Sequence, residues 1–215
     1  MRSISRIFRQ RSLITQADIS AAPTRVACVG DSITAGVGTG KGNDYPAQLG
    51  RMLGAKYIVK NFGVSGSTVL ERGDRPYQKK RAFKKAKAFN PDIVVIKLGT
   101  NDTKLHNWKY KDEFITDYKG MVNEFRSLQC KPEIFLLRPA PVTRKVKSSV
   151  NKERLQEIIH MIDRLAVDLH AGVIDVHTPL LGHPEWIPDG VHPNTAGAAE
   201  IAMTVYRVLR EIQKR

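Results

Sequence analysis

Short apolar, β-branched runs recur along the chain, each closed by a glycine or a turn. Arg25 to Val29 runs up to Gly30, Tyr57 to Phe62 up to Gly63, and Asp92 to Leu98 up to Gly99. Glu133 to Leu137 ends before Arg138 and Pro139, and Gly172 to Val176 makes a fifth run. Runs that are apolar throughout, rather than alternating, predict strands of a parallel sheet covered on both faces. Between them the apolar positions change to helical spacing. Tyr45 to Leu53 predicts a short helix, and Gln78 to Phe89 a second with Ala82, Phe83, Ala86 and Phe89 on one side. Further stripes are Phe114, Tyr118, Met121, Phe125 and Leu128; then Leu155, Ile158, Ile162, Leu165 and Leu169; then Ile201, Val205, Val208 and Ile212. Pro193 is the expected first position of the last helix. Strands alternating with helices predict an α/β fold: a three-layer α/β/α sandwich around a five-stranded parallel sheet.

Composition narrows this picture only a little. The 215 residues suffice for one well-buried core. The apolar fraction of 41% fits a globular protein, and no apolar run approaches the roughly 18 residues of a membrane span. Two cysteines make no disulfide framework, and Cys28, inside an apolar run, is expected to be a packing residue. The net charge of +14 is partly concentrated between Arg72 and Lys87, where Asp74 is the sole acid. The lysines of that stretch fall opposite its apolar stripe, which predicts a solvated helix face. An anionic polysaccharide is a further candidate partner for it. No aromatic residues interleave with these bases to stack on nucleotides, so no nucleic acid is expected.

Residues 1–23 stand apart. Arg2, Arg6, Arg9 and Arg11 occur among serines with Asp18 as the only acid, a composition similar to that of an organellar transit peptide. A flexible basic tail is the plainer expectation, with the folded domain occupying 24–215. A cytoplasmic location is the default, and a secreted or organelle-targeted form stays open. Residues 138–150 form a basic, proline-containing loop expected to border the functional site.

The chemistry lies where the predicted strands end. In open α/β sheets ligands bind beyond the carboxyl ends of the strands. Gly30-Asp31-Ser32-Ile33-Thr34, Asn61-Phe62-Gly63-Val64-Ser65-Gly66 and Gly99-Thr100-Asn101-Asp102 each follow a strand directly; Asp189-Gly190-Val191-His192-Pro193 follows the fifth through a longer loop. A serine hydroxyl is a weak nucleophile until a base takes its proton and a third group holds that base. Ser32 is the candidate nucleophile, His192 the base and Asp189, three residues earlier across a flexible glycine, its orienter. An oxyanion needs waiting donors. The candidates are the backbone N–H groups of Ser32 and Gly63 and the side-chain amide of Asn101. Asp31 and Asp102 are expected to bond backbone amides and shape their turns.

These four blocks, in this order, resemble the SGNH or GDSL-type hydrolase family. The resemblance runs from Arg25 onward and implies a flavodoxin-like fold. It also implies Ser32 as nucleophile, Gly63 and Asn101 in the oxyanion hole, and Asp189 with His192 completing the triad. The flanking Asp44-Tyr45-Pro46-Ala47-Gln48-Leu49, Gly99 to Lys104 with Asn107-Trp108, and Pro188 to Asn194 resemble the carbohydrate acetylesterase branch, including sialate O-acetylesterase-like proteins. That implies an esterase releasing small acyl groups, acetyl foremost, from a carbohydrate or small-molecule ester. A lysophospholipase or thioesterase using the same machinery is one alternative, and a polyanion-binding protein with a vestigial triad is another.

Rival readings are weaker. Ser65 lies in Gly63-Val64-Ser65-Gly66-Ser67, which breaks the Gly-x-Ser-x-Gly elbow at its last position. Asp175 and His177 form an acid–base pair at a strand end with no serine motif to answer it, and a structural role is expected. Gly36 to Gly42 fails the phosphate-loop pattern, because Ala35 stands where the first glycine belongs and Gly42 follows Lys41; a loop near the site's mouth is expected instead. The histidines show no metal-ligand spacing, so neither metal nor cofactor is expected.

Overall fold

The computed structural model describes residues 22–143 and 150–212. The expected basic tail falls on residues outside this range, except for its last two positions. Five strands form one parallel sheet: β1 (Thr24–Gly30), β2 (Tyr57–Gly63), β3 (Ile93–Lys97), β4 (Glu133–Arg138) and β5 (Gly172–Asp175). Their order is β2-β1-β3-β4-β5, and every neighbouring pair is parallel. Each run read as a strand is one, its ends moved by a residue at most.

Alternate side chains of a strand point to opposite faces, and in the central strands β1, β3 and β4 both faces are dry, while the edge strand β2 exposes Ile58, Lys60 and Asn61. Val26 and Cys28 join Val95, Phe135, Leu137 and Ile174 in one buried cluster; Ala27 and Val29 join Val94, Ile96, Ile134 and Leu136 in the other. Burial pushes the Cys28 thiol far up from its ordinary value, so it packs rather than reacts. In chain order the helices are α1 (Ser32–Ala35), α2 (Tyr45–Leu53), α3 (Arg81–Ala88), α4 (Leu105–Trp108), α5 (Phe114–Arg126), α6 (Lys152–Leu169), α7 (Thr178–Leu181) and α8 (Thr195–Ile212). The cluster containing Val26 includes the apolar stripes of α2 and α8, and the cluster containing Ala27 includes those of α3, α5 and α6. No described helix is long and apolar enough to cross a membrane.

Two boundaries differ from expectation. The basic helix is shorter: a 3₁₀ turn over Tyr77–Lys79 precedes α3, with Phe83, Ala86 and Phe89 buried while Lys84 and Lys85 face solvent. The last helix starts at Thr195, not Pro193. Asn194 caps it: its Oδ1 accepts from the N–H groups of Ala196 (3.0 Å) and Gly197 (3.1 Å), and its carbonyl accepts from Ala198 (2.8 Å). The positive end of α8 is therefore answered by Asn194.

The strand order 2-1-3-4-5 reverses direction between β1 and β3, the place where such sheets open a crevice at their carboxyl edge. The β1 turn rises at that point.

Candidate active site

Gly30 ends β1, and a Cβ there would stand 2.1 Å from Thr34 Oγ1 and 2.6 Å from the Lys97 carbonyl. Only glycine fits so tight a turn. Asp31 then caps α1, its Oδ1 accepting from Ile33 N–H at 3.0 Å. Ser32 is the first residue of α1, so its own N–H has no acceptor within the helix. Its Oγ lies 2.9 Å from His192 Nε2. On the far side of the ring, Nδ1 lies 2.6 Å from Asp189 Oδ2. A carboxylate accepts only, so the proton sits on Nδ1 and Nε2 is left to accept from the serine.

The loop around Asp189 is built to present this pair. Gly190 has φ +88°, which reverses the chain between acid and base. Asp189 Oδ1 accepts from the N–H groups of Val191 (2.8 Å) and His192 (2.7 Å), leaving Oδ2 for the ring. Burial favours the neutral acid, but these amides and the imidazole outweigh it and hold the Asp189 carboxyl below its usual value. The 138–150 loop does border the site at its described ends. Thr143 N–H donates to the Gly190 carbonyl at 3.1 Å, and Val142 and Val150 pack with Leu155 and Val191. The Gly36–Gly42 loop passes here too: a Cβ at Gly38 would lie 2.8 Å from the Pro193 carbonyl and 3.2 Å from His192 Cβ.

The sequence-derived donors divide. Asn101 is nearly buried and its Nδ2 donates to the Ser67 carbonyl at 3.2 Å, which leaves the second amide hydrogen free. Gly63 does something other than expected. Its N–H donates to Asn61 Oδ1 at 2.8 Å, and a Cβ on it would stand 2.3 Å from Ala35 N. Gly63 is thus a close-packing residue against α1, with its donor already spent. Gly66, in the same block, has φ +80°, and its N–H makes no hydrogen bond among the described residues. It directly precedes Ser67, whose carbonyl holds Asn101, while Val64 N–H donates to the Gly30 carbonyl at 2.9 Å. The 64–67 loop therefore runs from the Ser32 turn to Asn101. The sequence signal was available: a second glycine of the same block, at a turn.

A buried polar network beneath these loops was missed. Lys97, inside an apolar strand, is wholly buried, its Nζ 3.0 and 3.2 Å from the Asp31 oxygens and 2.9 Å from Thr100 Oγ1. Burial lowers the pKa of that ammonium, and Asp31 opposes the shift. A lysine in a strand covered on both faces must find a partner, and that was the overlooked clue. Asp102 Oδ1 accepts from Val69 and Leu70 N–H, both at 2.9 Å, as expected of a turn-shaping acid. Burial pushes the Asp102 carboxyl up to about 7. Asn107 donates to the Asn101 carbonyl at 3.0 Å and to Asp74 Oδ1 at 2.9 Å.

Asp175 and His177 do not pair through their side chains. Asp175 accepts from the N–H groups of His177 and Thr178, from Thr178 Oγ1 and from Arg138. His177 Nδ1 meets the Pro139 carbonyl at 2.9 Å and its Nε2 meets Gln156 at 3.2 Å.

Known proteins resemble this chain in sequence and in fold. A model of the GDSL-like lipase/acylhydrolase family matches residues 28–200. The chain belongs to the GDSL-like lipase/acylhydrolase family. An acetylxylan esterase from Xylanibacter ruminicola is 38% identical, over 86% of this chain and 43% of its own length, so this chain spans less than half of that relative. Among solved structures, a carbohydrate acetylesterase from Sinorhizobium meliloti superposes with TM-score 0.70 at 18% identity, covering 88% of this chain and 99% of that one. A variant of an acetyl-xylooligosaccharide esterase from Geobacillus superposes with TM-score 0.68 at 23% identity, covering 86% and 94%. At these identities the superpositions speak for the α/β fold of this GDSL-like chain.

Proposed function

We propose that this family member is a serine esterase that removes small acyl groups, acetyl foremost, from a carbohydrate through an acyl-serine intermediate. The observation that carries the proposal is the continuous relay from Ser32 Oγ through His192 to Asp189, at 2.9 and 2.6 Å. In the first step His192 Nε2 takes the Ser32 proton as Oγ attacks the ester carbonyl. The negative charge gathers on the former carbonyl oxygen, where the N–H groups of Ser32 and Gly66 and the amide of Asn101 are the assigned donors. His192 then gives its proton to the departing sugar oxygen. In the second step it takes a proton from water, which attacks the acyl-serine and releases the acid. Asp189 stays anionic and holds the ring throughout. The likeness to an acetylxylan esterase supports acetyl on a saccharide over the long acyl chains of a lysophospholipase or thioesterase. The basic 72–87 stretch meets the loop that carries Gly66 at Arg75 and there offers a contact for an acidic polysaccharide.

The test is acid release from acetylated xylan and from 4-nitrophenyl esters of rising chain length, by the wild-type protein and by Ser32→Ala. Release should be fastest for acetyl and should fall by about 10⁶ in kcat in the variant. Equal rates in the two proteins would refute the mechanism, and rates rising from acetyl to decanoyl would refute the substrate class.

A further inference from the structure

The bases between Arg72 and Lys87 are not equivalent. Arg72 pairs with Glu113 at 2.7 Å and lies over the Tyr110 ring, Lys87 pairs with Glu124, and Lys79 donates to the Glu71 carbonyl. Lys84 and Lys85 face solvent on α3. Arg75 differs from all of these. It is exposed, makes no ion pair among the described residues, and lies on the loop that carries Gly66: a Cβ at Gly66 would stand 2.9 Å from Arg75 Cδ and 3.2 Å from its Nε.

The backbone fixes it there. Thr68 N–H donates to the Arg75 carbonyl at 3.0 Å, and Tyr77 N–H donates to the Thr68 carbonyl at 2.9 Å. Asn107 accepts from Asp74 N–H and donates to the Asp74 carboxylate, both at 2.9 Å, while donating to the Asn101 carbonyl at 3.0 Å. One side chain thus sets both the Asn101 turn and the residue just before Arg75.

We infer that Arg75 is a specificity residue that binds a carboxylate on the saccharide close to the scissile ester, so the preferred substrate is an acetylated oligosaccharide bearing a uronic acid. The inference rests on the esterase reading above. A guanidinium presents a planar fork that matches a carboxylate in two parallel hydrogen bonds. A neutral acetylated sugar can accept hydrogen bonds from such a cation but brings no charge to pair with it, whereas a uronate brings both. Were Arg75 an oxyanion donor instead, it would help every ester alike.

The experiment compares kcat/KM for an acetylated neutral xylooligosaccharide with that for the same oligosaccharide carrying a glucuronic acid branch. The proteins are wild type, Arg75→Ala and the double variant Lys84→Ala/Lys85→Ala. The wild type should prefer the acidic substrate by about two- to fivefold at low salt, and the preference should shrink in 1 M NaCl, where the screening length is about 3 Å. Arg75→Ala should abolish it, mainly through KM, and the double variant should keep it. No preference in an active wild type, an equal loss on both substrates in Arg75→Ala, or the same loss in the double variant would overturn the inference. Calorimetric binding of the deacetylated acidic oligosaccharide reads the contact without hydrolysis. Tighter binding to wild type than to Arg75→Ala supports it, and equal binding contradicts it. Failure of the esterase reading would show separately, as no acetate released from either substrate.

Discussion

Two loops of this molecule carry an aspartate just ahead of a histidine, and only one of them links its pair to a serine. Asp189 and His192 are three residues apart with Gly190 at φ +88° between them, so the carboxylate turns back onto Nδ1 at 2.6 Å and Nε2 is left facing Ser32. Asp175 and His177 are two apart at the end of β5. There the carboxylate is consumed by the start of α7 and by Arg138, while the imidazole is spent between Pro139 and Gln156. The same residue types give a relay in one place and a brace in the other. What decides is whether each ring nitrogen is left with a free task, and one intervening residue with left-handed freedom is enough to change that.

Changing the acids separates the two loops most sharply. Asp189→Asn should lower kcat by on the order of 10⁴, because an amide can stabilise the wrong imidazole tautomer, with Tm little moved. Steady-state kinetics and a thermal melt check this together; a loss under tenfold would make Asp189 a brace like Asp175. Since Asp189 is held below its usual value, its support for the folded loop is present above pH about 4 and is lost only as pH falls through that lowered value. Any loss of rate on acidification near neutrality would therefore not come from Asp189.

Asn101→Ala should cost about 10²–10³ in kcat, read with an acetyl ester at saturation. His177→Ala should do the opposite of Asp189→Asn. Leaving the Pro139 carbonyl and Gln156 without their partner should cost about 1–3 kcal/mol of stability while kcat of the folded protein stays within a few-fold. A large kcat loss there would erase the contrast between the loops.

Asp102 ties the stability of the fold to pH. Its folded value of about 7 lies above the ordinary 3.8, so the native state binds this proton more tightly than the unfolded chain does. Stability should fall as pH rises from about 4 to about 7. Asp102→Asn should flatten that slope, as followed by denaturant unfolding at several pH values.

Most of the fold was legible because the central strands β1, β3 and β4 are buried on both faces and read as nearly continuous apolar runs, while the edge strand β2, with Ile58, Lys60 and Asn61 exposed, showed itself by the glycine that closes it. Ser32, Asn101, Asp189 and His192 were legible because each stands in a short motif at a strand end or in the following loop. Gly63 misled for a physical reason. Lack of a Cβ permits a close approach by any group, and here the group approaching is the backbone of α1, while the free amide belongs to Gly66. The Asp31–Lys97 pair escaped because hydrophobic patterning treats one lysine in an apolar strand as noise. The start of α8 was misplaced because Pro193 fits a first helical turn, yet the side chain that satisfies the free amides is that of Asn194.

The convergence on Ser32 is tested most directly by labelling with a fluorophosphonate, followed by peptide mass mapping. The adduct should appear on Ser32 in the wild type, with its formation slowed at least a hundredfold in His192→Ala. An adduct on Ser65, or equal labelling of Ser32 in both proteins, would contradict the account.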